Sequence, residues 1–207
     1  MTRRHDAALM NPPVADRAGR AGRARAPHER ILNVARELFC REGIHAVGID
    51  RILAEAGASK MTLYSRYGSK EALLHEALRQ EGAAWRTSFF AAVIAAGADA
   101  PARLRGVIAA LDAWYRGGRF YGCAFINAVG EHAKGEPHLR ALAGEHHRDI
   151  LDFLGGLAAE AGYGDPAMVA RQILLLMDGV TAALMVTGDE SVLAVGARNL
   201  DAVLAQR

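Results

Sequence analysis

A chain of 207 residues is long enough for one large domain or two small ones with a sizeable buried core. Hydrophobic residues make up 51% but aromatics only 6%, and the 6 prolines are outnumbered by alanine, leucine, arginine and glutamate, a mixture that favours helices over a sandwich or barrel. The formal charge of +2 hides an asymmetry: residues 1–75 hold 13 Lys/Arg against 8 Asp/Glu, while 76–207 hold 12 against 15, which directs a polyanion to the N-terminal end and not to the whole surface.

Cys40 and Cys123 are the only cysteines, each in an apolar context (LFC, GCAF), with no metal spacing and no disulfide framework. Buried reduced thiols are the expectation. The N-terminus is Arg-rich but lacks the apolar stretch of a signal peptide. The longest apolar run, 173-ILLLMDGVTAALMV-186, is too short to span a bilayer and carries Asp178. A soluble cytoplasmic protein without a membrane partner is therefore expected.

Residues 1–26 have the composition of a disordered arm, with Pro12-Pro13, the run RAGRAGRARA and six arginines before Pro27. From Pro27 onward Ile31, Val34, Ala35, Leu38 and Phe39 fall on one helical face, closed by Gly43. A second helix is expected from about Ile49 to Ala56, ended by Gly57, and a third from a Ser59 cap to about Tyr67. Gly68 breaks that helix, and Ser69 caps a fourth with Leu73, Leu74, Ala77 and Leu78 inward. Further helices are expected to about Ala96, over Ala102–Arg116, from near Gly122 to before Gly135, over 138–161 and 166–187, and from Asp189 to Ala205. No strand pattern and no repeat appears, so the expected architecture is all-α.

Three short helices, the second and third joined by a tight glycine turn, make a helix-turn-helix candidate. Such a unit needs a short turn, so that helix two braces helix three, and polar or small side chains at the N-terminal end of helix three, which faces base edges. Segment 49-IDRILAEAGASKMTLYSRYGSK-70 meets both demands: Ile52 and Leu53 can pack on Leu63 while Lys60, Met61, Thr62, Tyr64, Ser65 and Arg66 point outward.

The run 43-GIHAVGIDRILAEAGASKMTLYSRYGSKEALL-74, preceded by LFCREG, resembles the DNA-binding domain of the tetracycline-repressor (TetR) family of transcriptional regulators over residues 27 to about 78. The resemblance implies a DNA-binding domain at 27–75 and an effector-binding and dimerisation domain at 76–207. It places Lys60, Met61, Thr62, Tyr64 and Ser65 at the groove, Arg66 and Tyr67 where an aromatic or histidine pair lies close to phosphates, and Lys70 at the family's phosphate-binding lysine. Leu63 and Tyr67 also read as core, Tyr64 stands between groove contact and helix packing, and Lys60 has the alternative of a solvated charge. Two positions depart from the pattern. Gly48 replaces the Ser or Thr that caps helix two, and Met61 replaces a Gly or Ala, where its thioether has a thymine methyl as a natural partner. The arginine arm either tracks phosphates or enters a minor groove, or is a solvated tail.

One helix-turn-helix module buries little DNA, so specific binding asks for two copies about 34 Å apart. The family's last two long helices pair with their symmetry mates. By resemblance, 139-LRALAGEHHRDILDFLGGLAAEAG-162 and the helix after it form that homodimer interface, with Gly179, Ala182 and Ala183 allowing close approach. The segment 122-GCAFINA-128 resembles a "GC-x-F-x-N-A" stretch of one subset of the family. Trp85, Phe89, Trp114, Phe120, Phe125, Asn127, Met177 and Asp178 are the candidate effector-binding residues, each with a core or helix-packing alternative. His132, His146 and His147 with Glu131 and Glu145 raise a metal site, but adjacent histidines diverge on a helix and no His-x3-His pair is present. No cofactor and no catalytic constellation is indicated. The function expected is a ligand-responsive regulator, acting as a repressor on a palindromic double-stranded operator and released by a small, largely apolar effector. The alternatives are a helix-turn-helix protein without effector, or a helical enzyme using Cys123.

Overall fold

The computed structural model describes residues 25–132 and 137–206; the arginine arm expected over 1–26 lies almost wholly outside these described residues. Among the described residues the chain forms ten helices and no strand: α1 Pro27–Glu42, α2 Ile49–Ala56, α3 Lys60–Tyr67, α4 Lys70–Ala95, α5 Ala100–Arg105, α6 Val107–Arg116, α7 Ala124–Glu131, α8 Pro137–Glu160, α9 Pro166–Thr187 and α10 Ser191–Leu204. The all-α expectation holds.

Helix boundaries follow local chemistry. Pro27 opens α1, where its missing N–H costs nothing. Asp99 and Asp165 cap α5 and α9 by accepting the N–H groups of Ala102 (2.8 Å) and Met168 (3.0 Å). Three expectations are corrected. The helix expected over Ala102–Arg116 is two helices that meet at Gly106, whose N–H is shared between the carbonyls of Ala102 and Arg103, and where a Cβ would lie 2.2 Å from that of Ala96. The fourth helix and the further one expected to about Ala96 are a single helix, α4, running from Lys70 to Ala95. Both cysteines are half-buried and outside any disulfide, not fully buried.

The described residues form two compact units, one gathering those from 25 to 84 with those of 124–144, the other those of 85–123 with those from 145 onward. In the first, Ile31, Ala35, Leu38, Val47, Ile52, Leu63 and Leu73 are essentially inaccessible to solvent. Each such Leu or Ile contributes about 1.5–3 kcal/mol over its exposed state, which is what orients three short helices that could not persist alone. In the second, Phe89, Leu104, Leu111, Leu154, Ile173 and Leu200 form the centre of a continuous core. The apolar run ending at Val186 proves to be part of a longer helix: α9 starts at Pro166, and its 22 residues include an 18-residue window with the mean hydropathy (1.6) of a membrane span. Here its Val169, Ile173, Met177, Val180 and Leu184 are spent on the core.

Candidate nucleic-acid interface

The geometry of α3 starts with the turn before it. Gly57 ends α2 in the left-handed region (φ 56, ψ 47), its N–H bonding back to Ala54 and Leu53. A Cβ there would meet nothing within 4 Å, so the demand for glycine is conformational and not steric. Two residues later Ser59 Oγ accepts the N–H of Thr62 at 3.1 Å and lies 3.0 Å from its Oγ1. Leu63, at 0% exposure, then pins one face of α3 to the core. The remaining faces are set outward by geometry: Lys60, Met61, Tyr64, Ser65 and Arg66 are exposed, Met61 by 79% and Tyr64 by 49%, while Thr62 and Tyr67 are half-buried.

The polar groups on this surface are partly committed to one another. Lys60 Nζ lies 2.8 Å from Asp50 Oδ1, and that bond raises the ammonium's pKa. Ser65 Oγ donates to the Thr62 carbonyl. The Arg66 guanidinium sits 5.6 Å from the centre of the Tyr67 ring. Tyr67 itself donates its hydroxyl to the His28 carbonyl at 2.9 Å, and burial pushes its phenol pKa up. Lys70 donates to the Ile44 carbonyl at 2.8 Å, so one of its three N–H groups is used within the chain. Gly48 precedes α2 without a side-chain cap. Ser69 caps α4 through the N–H of Ala72 at 3.0 Å.

Two residues to which the sequence pattern gave no role in this unit hold it in shape. Arg30, on α1, donates from Nε to the Ala56 carbonyl (2.8 Å) and from a terminal nitrogen to that of Gly57 (2.9 Å), placing a cation on the C-terminal carbonyls of α2. Glu131, the last residue of α7, accepts the N–H of Ile44 at 2.6 Å and of His45 at 3.2 Å. His45 Nε2 lies 2.8 Å from the Glu131 carbonyl, and the His45 and His132 rings lie 5.0 Å apart. The Ile44 peptide groups are thus held on both sides, N–H by Glu131 and C=O by Lys70. Nothing in a periodicity reveals a contact across 87 positions.

The candidate effector residues divide between the units. Trp85, Phe89, Trp114, Phe120, Met177 and Asp178 belong to the second, Phe125 and Asn127 on α7 to the first. Trp85 stacks on Phe89 (centroids 4.6 Å) and meets Trp114 edge-on (5.5 Å), and Trp114 meets Phe120 at 4.8 Å. Met177 lies in the core. Asp178 faces His147 at 3.6 Å, an ion-pair distance longer than a hydrogen bond, and it raises the imidazole's pKa. His146 is buried and takes an N–H of Arg86 at 2.8 Å, so the adjacent histidines diverge. No group of three metal-ligating side chains converges among the described residues. On α9, Met168, Leu175, Met185 and Val186 are exposed, Leu175 by 72%, together with Gly179 and Ala182.

Comparison with known proteins places this arrangement. The family described as bacterial regulatory proteins, tetR family, matches residues 31–77, the whole of α2 and α3 with their supports. SCO4454, a TetR-family transcriptional regulator from Streptomyces coelicolor, superposes with a TM-score of 0.77 at 33% identity, covering 86% of this chain and 94% of that one. The HTH-type transcriptional regulator YjdC of Escherichia coli (strain K12) is 25% identical over 166 residues, 79% of this chain and 85% of its own. The HTH-type transcriptional repressor KstR2 of Rhodococcus jostii (strain RHA1) is 32% identical over 71 residues, 34% of this chain and 33% of its own. With a helix-turn-helix built on Gly57, Ser59 and Leu63, and a relative matched along nearly its full length, the chain belongs to the TetR family of DNA-binding transcriptional regulators.

Proposed function

We propose that the protein is a cytoplasmic, ligand-responsive repressor that binds a palindromic operator as a homodimer and is released by a small, largely apolar effector. The observation that carries this reading is α3, a capped helix pinned by Leu63 with Lys60, Met61, Tyr64, Ser65 and Arg66 open to solvent. Residues 27–75 read the DNA and 76–207 bind effector and partner. In the groove, Lys60, Met61, Thr62, Tyr64 and Ser65 meet base edges. Arg66, Tyr67 and Lys70 hold the backbone, Lys70 with the N–H groups left over from its bond to Ile44. KstR2, which shares part of the sequence, is named a repressor.

The exposed stripe of Met168, Leu175, Gly179, Ala182 and Val186 on α9 supports the dimer, because an apolar helix face with small residues favours close packing against a second copy. Release is a population shift: effector binding favours a conformation in which α4 swings and the two α3 helices no longer match the half-site spacing. The paired hold on Ile44 supports this route, since a movement of α4 through Lys70 or of α7 through Glu131 reaches the turn that carries α2. A footprint on the DNA flanking the protein's own gene tests the reading. A protected palindrome that opens on adding an effector is the expected result; protection that no ligand alters removes the effector, and absence of protection removes the operator.

A further inference from the structure

The Trp85 indole Nε1 is buried and has no acceptor among the described residues. An orphaned buried N–H is costly in a hydrogen-bonded interior. This one lies on a ring stacked at 4.6 Å against Phe89, edge-on to Trp114 at 5.5 Å, and 5.6 Å from the His146 ring, with Phe120 continuing the aromatic surface. The surroundings combine flat apolar faces with a buried donor that asks for an oxygen.

The charge around the cluster decides which oxygen. Arg86, the neighbouring residue on α4, donates to His146 Nδ1 at 2.8 Å and pairs with Asp149 at 3.0 Å, so its guanidinium is already matched by a carboxylate. His146 is held neutral by burial and by the Arg86 charge. Because Arg86 only donates, Nδ1 of His146 is the accepting nitrogen and Nε2 carries the proton. A carboxylate or phosphate entering this cluster would bring a charge that Arg86, already paired with Asp149, does not compensate. A carbonyl brings an acceptor without that cost.

We propose that the Trp85–Phe89–Trp114–Phe120 cluster binds a flat, neutral aromatic carbonyl compound whose oxygen accepts the Trp85 indole N–H. The inference rests on the reading of these residues as the effector site, and it names the ligand's chemical class.

The probes are fluorenone and fluorene, equally flat tricycles that differ in one carbonyl oxygen. Equilibrium dialysis against the full chain should give fluorenone about tenfold tighter binding than fluorene. In Trp85→Phe, which keeps a stacking ring but lacks the N–H, fluorenone should fall to the affinity of fluorene while fluorene itself is unchanged. In a nitrogen–proton correlation spectrum of the unmodified protein, which carries only two tryptophans, one indole resonance should move downfield with fluorenone and not with fluorene. That measurement stands even if the variant does not fold. Equal affinities for the two probes, no binding of either, or a preference that survives in Trp85→Phe overturns the proposal. Operator release is scored separately. Trp85-dependent binding without release leaves the site and removes its effector role, whereas release by a ligand indifferent to Trp85 keeps the repressor reading and removes this site.

Discussion

Replacing Glu131 with Ala tests whether the end of α7 holds the helix-turn-helix unit through two peptide N–H groups. The Ile44 N–H meets the carboxylate at 2.6 Å on a residue that is 5% exposed, and the His45 N–H meets it at 3.2 Å at the surface. A hydrogen bond to a charged acceptor contributes about 1.5–3 kcal/mol net, and an exposed one at the long end of the range about 0.5 kcal/mol. The expected loss is therefore about 2–3.5 kcal/mol, or roughly 4–14 °C in Tm for a chain of this size. Glu131→Gln retains one acceptor oxygen and should lose about half as much. Gly43 provides an internal check. Its backbone (φ 87, ψ 159) lies where only glycine is comfortable, and a Cβ would sit 3.1 Å from both Glu131 carboxylate oxygens. Gly43→Ala should cost about 1–3 kcal/mol from the backbone alone, with the Glu131 contact adding to it. The Gly43→Ala/Glu131→Ala double variant should then lose about 0.5–1 kcal/mol less than the sum of the singles. Unfolding is followed by far-UV circular dichroism at one fixed protein concentration, because a dimer's Tm depends on it. A Glu131→Ala protein melting within about 1 °C of the unaltered chain refutes the latch, and strict additivity refutes the contact between Glu131 and position 43.

Three further outcomes are expected. Ser59→Ala removes the α3 cap and should cost about 1 kcal/mol of stability by urea denaturation, with Ser59→Thr retaining most of it; no change would mean that Leu63 alone seats the helix. Met61→Ala should weaken operator binding by about 1–2 kcal/mol, from roughly two methylenes no longer buried, in a competition mobility-shift assay. The loss should be confined to operators with thymine at one position, and a uniform loss across sequences would contradict base contact. Leu175→Glu puts a charge at the centre of the exposed α9 stripe and should give a monomer by sedimentation at micromolar concentration; a persistent dimer would place the interface elsewhere.

The paired histidines give the pH prediction, with opposite signs. His146 is pushed from its usual 6.5 down to about 3, first by burial and then by the charges of Arg86 and His147. The unfolded chain therefore takes up a proton that the folded chain refuses. The contribution of His146 is present above pH 6.5 and should fall by up to about 1.4 kcal/mol per unit as the pH drops toward 3. His146→Asn keeps an acceptor for Arg86 and should flatten stability against pH below 6.5; an unchanged slope would show that His146 does not titrate this way. His147 is raised, chiefly by Asp178, so its contribution is present below its unfolded value and lost as pH rises through the folded one.

The sequence alone determined the helical architecture and the recognition segment, because both depend on neighbours a few positions apart. Gly57, Ser59 and Leu63 lie within one turn of the structures they control, and a capping hydroxyl, a left-handed turn and a 3.6-residue stripe are short-range demands. The family resemblance rested on the same stretch. Other properties depended on residues distant in the chain. Lys70 turned out to bond Ile44, Arg30 to hold the end of α2, and Glu131 to reach back 87 positions. The helix expected over Ala102–Arg116 was divided at Gly106 by packing against Ala96, which no periodicity in 102–116 contains. Only the tertiary structure decided that Phe125 and Asn127 belong with the DNA-binding helices while Trp85 and Trp114 share the other core, and that the Trp85 N–H finds no acceptor among the described residues. Hydrogen bonding and charge compensation are settled by which groups meet once the apolar faces have packed, and that meeting is written in three-dimensional proximity, not in spacing along the chain.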